Sequence, residues 1–265
     1  MKKTGLFLPL IAIAVFTITG CVKESGGLTI KNGVLMVGIE IGYPPMEYMA
    51  DDGITPAGFT VKLAKAIAGK MELDVQFIDT AWDGIFAAVN TGRFDCIISS
   101  VTVTPERLQI FNFSKPYIKN TLVIVMPKNS RYTVNSPYDL SGLNVAYQAA
   151  TTSEYFMRQL EQEGLKCTLY GYDKVTYCFD DMRFGRIDAI MTDLVVGLDY
   201  SARTDLFEIV WQGGEDEFAI CMKKGNDALT EEINKALDQL FEDGTMLRIS
   251  QETFNGLDLV SAVRR

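Results

Sequence analysis

Residues 92–99 (GRFDCIIS) return in pattern at residues 185–192 (GRIDAIMT): Gly-Arg, an apolar residue, Asp, then an apolar run that ends on a hydroxyl side chain. A signature repeated this far along a chain marks two like structural units. In each copy a helical stripe stops at Gly, the chain turns through Arg and Asp, and a strand delivers polar residues at its carboxyl end. Open α/β sheets bind ligands at that end. The repeat therefore predicts a site between two lobes.

Periodicity fills in the units. Residues 34–39 read as a buried strand, and 58–71 as a helix with Phe59, Leu63, Ile67 and Met71 on one stripe. Strand 75–78, helix 82–90 and strand 94–99 complete a βαβαβ run. A second run follows, with strands 122–126 and 143–146, helix 153–162, strand 167–170, helix 175–184 and strand 187–192. The chain then returns as strand 218–222 and helices 227–241 and 245–253, which complete the first lobe. The expected α/β fold has lobe 1 from 34–119 and 216–262 and lobe 2 from 120–215, each a mostly parallel sheet flanked by helices. Crossings near Lys119-Asn120-Thr121 and Gly213-Gly214-Glu215 form a two-strand hinge.

Composition narrows the chemistry. A 48% hydrophobic fraction supports full cores. A net charge of −9, from 25 basic and 34 acidic residues, offers no footprint for nucleic acid. The absence of histidine removes the commonest general base and metal ligand, so neither metal nor cofactor is expected. At the N-terminus Lys2 and Lys3 precede an apolar run over 6–18 that is too short to span a bilayer and reads as a signal peptide, residues 1–20. It ends in Ile18-Thr19-Gly20-Cys21, which looks like a bacterial lipobox, so Cys21 becomes the lipidated first residue and 21–33 a tethered linker. Cleavage removes two lysines and no acid, taking the charge from −9 to −11. Of the remaining cysteines, Cys96 and Cys221 lie in apolar runs as buried thiols. Cys167 and Cys178 are the pair an oxidising compartment would allow, although Cys178 falls in a helical pattern.

The segment at 97–107 (IISSVTVTPER) places Ser99, Ser100, Thr102 and Thr104 before a helix that opens at Pro105, a setting that favours an anion. Arg107 sits in that first turn, against the helix dipole, where it needs a partner: a ligand carboxylate, or a solvent-exposed acid. In the second lobe Thr151 and Thr152 cap the helix from Ser153, either as plain caps or as a second anion site. Asp193 ends strand 187–192 and either caps the next helix or receives an ammonium across the cleft. A cation and an acid on opposite lobes suit an α-amino acid. Tyr43 and Trp82 supply aromatic walls for its side chain, unless Trp82 is core packing.

Taken together, YPPMEY (43–48), GFTVKLAKAIA (58–68), WDGIFAAV (82–89), the turn ending TPER, NFSKPY (112–117), the Gln148-to-Thr152 segment and GRIDAIMTD resemble one family. It is the amino-acid substrate-binding proteins of ABC importers, polar amino-acid group, over about residues 34–254. The resemblance implies the type II periplasmic binding protein fold and a monomeric, non-enzymatic protein. It would deliver a free L-amino acid to a permease from the extracytoplasmic face of the membrane. By the same resemblance, Arg107 holds the α-carboxylate with the backbone at Thr102 and Thr152, and Asp193 with Ser100 holds the α-ammonium. Tyr43 and Trp82 sandwich the side chain, and Glu40, Ser99 and Gln148 reach its tip. Ser100 stands where the family often has Gly, as in members that prefer basic ligands, and Glu40 between two rings favours Arg or Lys. Ala150 replaces a usual Gly, which narrows the backbone beside Thr152, and Lys62 replaces a common Asp. The same fold also serves dehydratases of cyclic carboxylic acids and amino-acid sensor lipoproteins.

Overall fold

The computed structural model describes residues 27–264. The expected signal peptide, Cys21 and the linker through residue 26 lie outside the described residues. Strand β1 (Val34–Ile39), the short pair β2 (Tyr48–Met49) and β3 (Pro56–Ala57), helix α1 (Phe59–Lys70), β4 (Asp74–Asp79), α2 (Trp82–Asn90), β5 (Cys96–Ile97), α3 (Pro105–Ile110) and β6 (Phe111–Phe113) come first. β7 (Ile118–Pro127) leads into β8 (Asn144–Gln148), α4 (Thr152–Gln162), β9 (Thr168–Tyr172), α5 (Val175–Arg183), β10 (Ala189–Asp193) and α6 (Leu194–Arg203). β11 (Phe207–Phe218) returns to β12 (Cys221–Lys223), α7 (Asp227–Glu242) and α8 (Thr245–Thr253).

Two five-stranded sheets result, ordered β4-β1-β5-β12-β6 and β9-β8-β10-β7-β11. Four of the five strands in each run the same way; the reversed ones are β12 and β7. Each reversed strand lies beside the strand of the repeated signature and follows a crossing from the other lobe. Both sheets are therefore mixed, and the duplication extends from sequence to topology.

The repeat itself has a structural cause. Asp95 accepts backbone N–H bonds from Ile30 and Met36, both at 2.7 Å, and Asp188 accepts one from Asn144 at 2.9 Å. Each aspartate ties the entry of its own strand to the start of the neighbouring first strand, β1 or β8. Gly92 and Gly185, at φ 74° and 71°, make the left-handed turns that bring the chain there.

On α1 the predicted stripe is buried: Phe59, Leu63 and Ile67 are fully enclosed, each contributing about 1.5–3 kcal/mol. Phe59 also stacks on Tyr117 and meets Phe254 of the returning segment, at 6.0 and 5.5 Å between ring centres. Gly58, at φ 111°, lets α1 begin against the 43–47 loop, because a Cβ there would lie 2.2 Å from the Met46 carbonyl oxygen.

Three strand expectations need correction. Strand 94–99 is only Cys96–Ile97, since Asp95 is engaged at the turn and Ser100 leaves the sheet at φ 53°. Strand 218–222 is split, with Phe218 ending β11 and β12 starting at Cys221. The Gly-Gly crossing lies inside the long strand β11, which pairs with β7 through two bulges, one at Gly213–Asp216. Gly213 packs under the Trp211 ring, where a Cβ would meet ring carbon at 2.2 Å. The hinge is thus a continuous antiparallel ribbon. All four described cysteines are free thiols, with Cys96 and Cys221 buried on adjacent strands β5 and β12.

Candidate functional site between the lobes

Strand ends build this site. Glu40 follows β1, Ser99 and Ser100 follow β5, Gln148 closes β8 and Asp193 closes β10. With Tyr43, Trp82, Thr102, Arg107, Thr151 and Thr152 they line one narrow pocket between the sheets. Every expected ligand contact lines it, Thr104 of the same segment does not, and Glu47 joins them.

Arg107 is the third residue of α3 and 8% exposed. Its backbone N–H donates to the Thr104 hydroxyl, which caps the helix, and its Nη1 donates to the Thr102 carbonyl at 3.0 Å. The guanidinium carbon lies 4.8 Å from the Phe86 ring centre and 5.7 Å from that of Trp82. No carboxylate among the described residues forms a salt bridge with it. Burial pulls its pKa below the ordinary value, so an anion arriving here relieves a desolvated charge.

Asp193 occupies the N-cap position of α6, yet its side chain makes no capping bond. Its carboxylate turns into the cavity and accepts from the Tyr43 hydroxyl and, at 2.7 Å, from Asn120 Nδ2. Both donors are neutral, and burial lifts its pKa to about 6. Arg107 and Asp193 thus face one space from opposite lobes; each lies in the other's field, and neither forms a salt bridge among the described residues.

Glu40 accepts Gln148 Nε2 at 2.9 and 2.8 Å. Burial raises its pKa to about 7, against the lowering influence of that bond and of Lys174. Ser99 Oγ accepts the Glu40 backbone N–H at 3.0 Å and donates to Glu47 at 2.9 Å. Among the described residues four pairs bond across the cleft: Tyr43 with Asp193, Gln148 with Glu40, Trp82 Nε1 with the Ala150 carbonyl at 3.0 Å, and Lys174 Nζ with the Ile41 carbonyl at 2.7 Å. Trp82 also packs edge-on against Phe86, so it is both core packing and cavity wall.

At α4 the cap differs from expectation. The Thr151 hydroxyl donates to the Gln148 carbonyl at 2.7 Å and does not cap the helix, while Glu154 accepts the Ala150 N–H at 2.8 Å. Ala150 is left-handed at φ 59°, a conformation costing a non-glycine residue roughly 1–2 kcal/mol. Lys62 forms an exposed salt bridge with Glu252, away from the cavity.

Sequence reasoning passed over Asn120, Glu47 and Lys174. Asn120 was legible only as a hinge residue, although it is fully buried beside Asp193. The signal for Glu47 was an acid inside the aromatic run YPPMEY.

The profile of the bacterial extracellular solute-binding proteins, family 3, matches residues 35–256. The chain belongs to that family. This solute-binding protein is 32% identical over 226 residues to the L-cystine-binding protein TcyJ of Escherichia coli, covering 84% of each chain. Its fold matches an ancestral arginine-binding protein bound to arginine, at 34% identity and a TM-score of 0.79, over 84% of this chain and 98% of that one. The ancestral amino acid-binding protein AncCDT-1, a precursor of cyclohexadienyl dehydratase, matches at 32% identity and a TM-score of 0.77, over 84% and 96%. These likenesses agree with a type II periplasmic binding architecture of two α/β lobes.

Proposed function

We propose that this solute-binding protein captures an L-amino acid with a cationic side chain, arginine or lysine, between its lobes and passes it to the permease of an ABC importer. The observation that carries the reading is the pair of opposite charges without a salt bridge, Arg107 and Asp193, facing one cavity from opposite lobes. The α-carboxylate binds Arg107 and the backbone at Thr102 and Thr152, and the α-ammonium binds Asp193 and Ser100. The side chain runs between Tyr43 and Trp82 to Glu40, Ser99 and Gln148, where a cation replaces the Gln148 amide on Glu40. A ligand that bonds both lobes favours the closed form only because it binds that form more tightly. The protein acts as a monomer, held outside the cytoplasmic membrane by lipid on Cys21, and performs no reaction of its own.

Cystine is the second reading, favoured by the identity with TcyJ. A thermal-shift screen of the twenty amino acids with cystine and ornithine, followed by calorimetry, tests both. Arginine or lysine giving the largest shift supports the first reading; cystine alone binding replaces it. Turnover of prephenate or arogenate would overturn the non-enzymatic reading, which AncCDT-1 makes worth testing.

A further inference from the structure

Glu47 is 1% exposed at the floor of the cavity, and no lysine or arginine among the described residues forms a salt bridge with it. Its neighbours define its hydrogen count. Thr60 Oγ1 lies 2.9 Å from the Met46 carbonyl and 2.6 Å from Glu47 Oε2. A threonine hydroxyl has one hydrogen, and a carbonyl has none to give. Both contacts are hydrogen bonds only if Thr60 donates to Met46 and Glu47 Oε2 donates to Thr60. The other oxygen fits the same assignment: the Ser99 hydroxyl already accepts the Glu40 N–H, so its hydrogen goes to Glu47 Oε1 at 2.9 Å. One oxygen donates and the other accepts, as in a neutral carboxylic acid.

We infer that Glu47 works as an uncharged acid, a positioning residue that joins α1 to the Ser99 and Ser100 hydroxyls and leaves Glu40 as the carboxyl available to a ligand's side-chain cation. The ionisable groups acting on Glu47 agree with this. Burial lifts the Glu47 pKa to about 8, against the lowering hydroxyl contacts of Thr60, Ser99 and Ser100, and the nearby Glu40 carboxyl adds to the rise. The inference deepens the proposed amino-acid reading, because one available carboxylate at the tip matches a single cationic group.

The test compares wild type with Glu47→Gln, whose amide keeps one donor and one acceptor in the same shape. Infrared difference spectroscopy at pH 7 should show a neutral carboxyl band in wild type that is missing from Glu47→Gln; carboxylate bands alone would overturn the inference. In calorimetry Glu40→Gln should lose at least about tenfold in arginine affinity, as expected when an interaction with a charged group is lost, and more than Glu47→Gln loses. A tenfold loss confined to Glu47→Gln would mean that Glu47 is an ionised ligand contact, and would overturn it too. If wild type binds no amino acid, the functional reading fails and the infrared band alone decides the state of Glu47.

Discussion

The Tyr43 hydroxyl of one lobe donates to the Asp193 carboxylate of the other, at the oxygens that face Arg107 across the cavity. That bond joins the lobes. An ammonium arriving at Asp193 competes for the same acceptor, so ligand and Tyr43 share one carboxylate.

Tyr43→Phe should therefore open the unliganded protein. The lost bond is to a charged group, worth about 1.5–3 kcal/mol, and the ring that lines the cavity stays. Small-angle scattering should give a larger radius of gyration without ligand and an unchanged one at saturating arginine.

Arg107→Ala and Asp193→Ala should each remove amino-acid binding without unfolding the chain. Truncating one member of a buried charged contact costs about 2–5 kcal/mol, so calorimetry should show at least a roughly thirtyfold loss. Arg107→Lys should recover only part of it, since an ammonium lacks the planar fork. Nanomolar affinity surviving both alanine changes would reject the assignment.

Acidity should act oppositely on the empty and loaded forms. Glu40 and Asp193 have pKa values raised from 4.5 to about 7 and from 3.8 to about 6. The folded state holds more protons than the unfolded chain across that window, so stability falls as pH rises. Their contribution is complete below the ordinary values and is lost through about pH 6 to 7. A cationic amino acid needs the ionised forms, so its affinity rises over the same range. Thermal melts should show the empty protein losing stability from about pH 5 to 8 while the shift given by arginine grows.

The repeated aspartates make a contrasting prediction. Asp95 and Asp188 bond backbone N–H groups far from the cavity, two for Asp95 and one for Asp188. Replacement by alanine should cost about 1–3 kcal/mol in urea unfolding, more for Asp95, with amino-acid affinity unchanged. A change in affinity at constant stability would contradict the clamp.

The sequence-to-structure record follows from the reach of each signal. Periodicity found α1 because Phe59, Leu63 and Ile67 bury one stripe of one helix. It brought Ser99 and Asp193 into view as polar residues after apolar runs, whereas Gln148 came only from the family resemblance. Partners far apart in the chain carry no local pattern: nothing near Asp193 announces Tyr43 or Asn120, and nothing near Ile41 announces Lys174. The strand Phe207–Phe218 has glycines and acids at its centre, legible only as a crossing between lobes, and pairing with β7 carries it through.

The place of β12 sets an order of assembly. It lies between β5 and β6, yet the ribosome makes both of those strands before any of the second lobe and β12 after all of it. While the chain is being exported, β6 has no neighbour to join, and the second lobe can complete its sheet from one uninterrupted stretch. The lobe begun first is the one finished last, so a nascent chain halted in the hinge ribbon would carry a finished half and an open one.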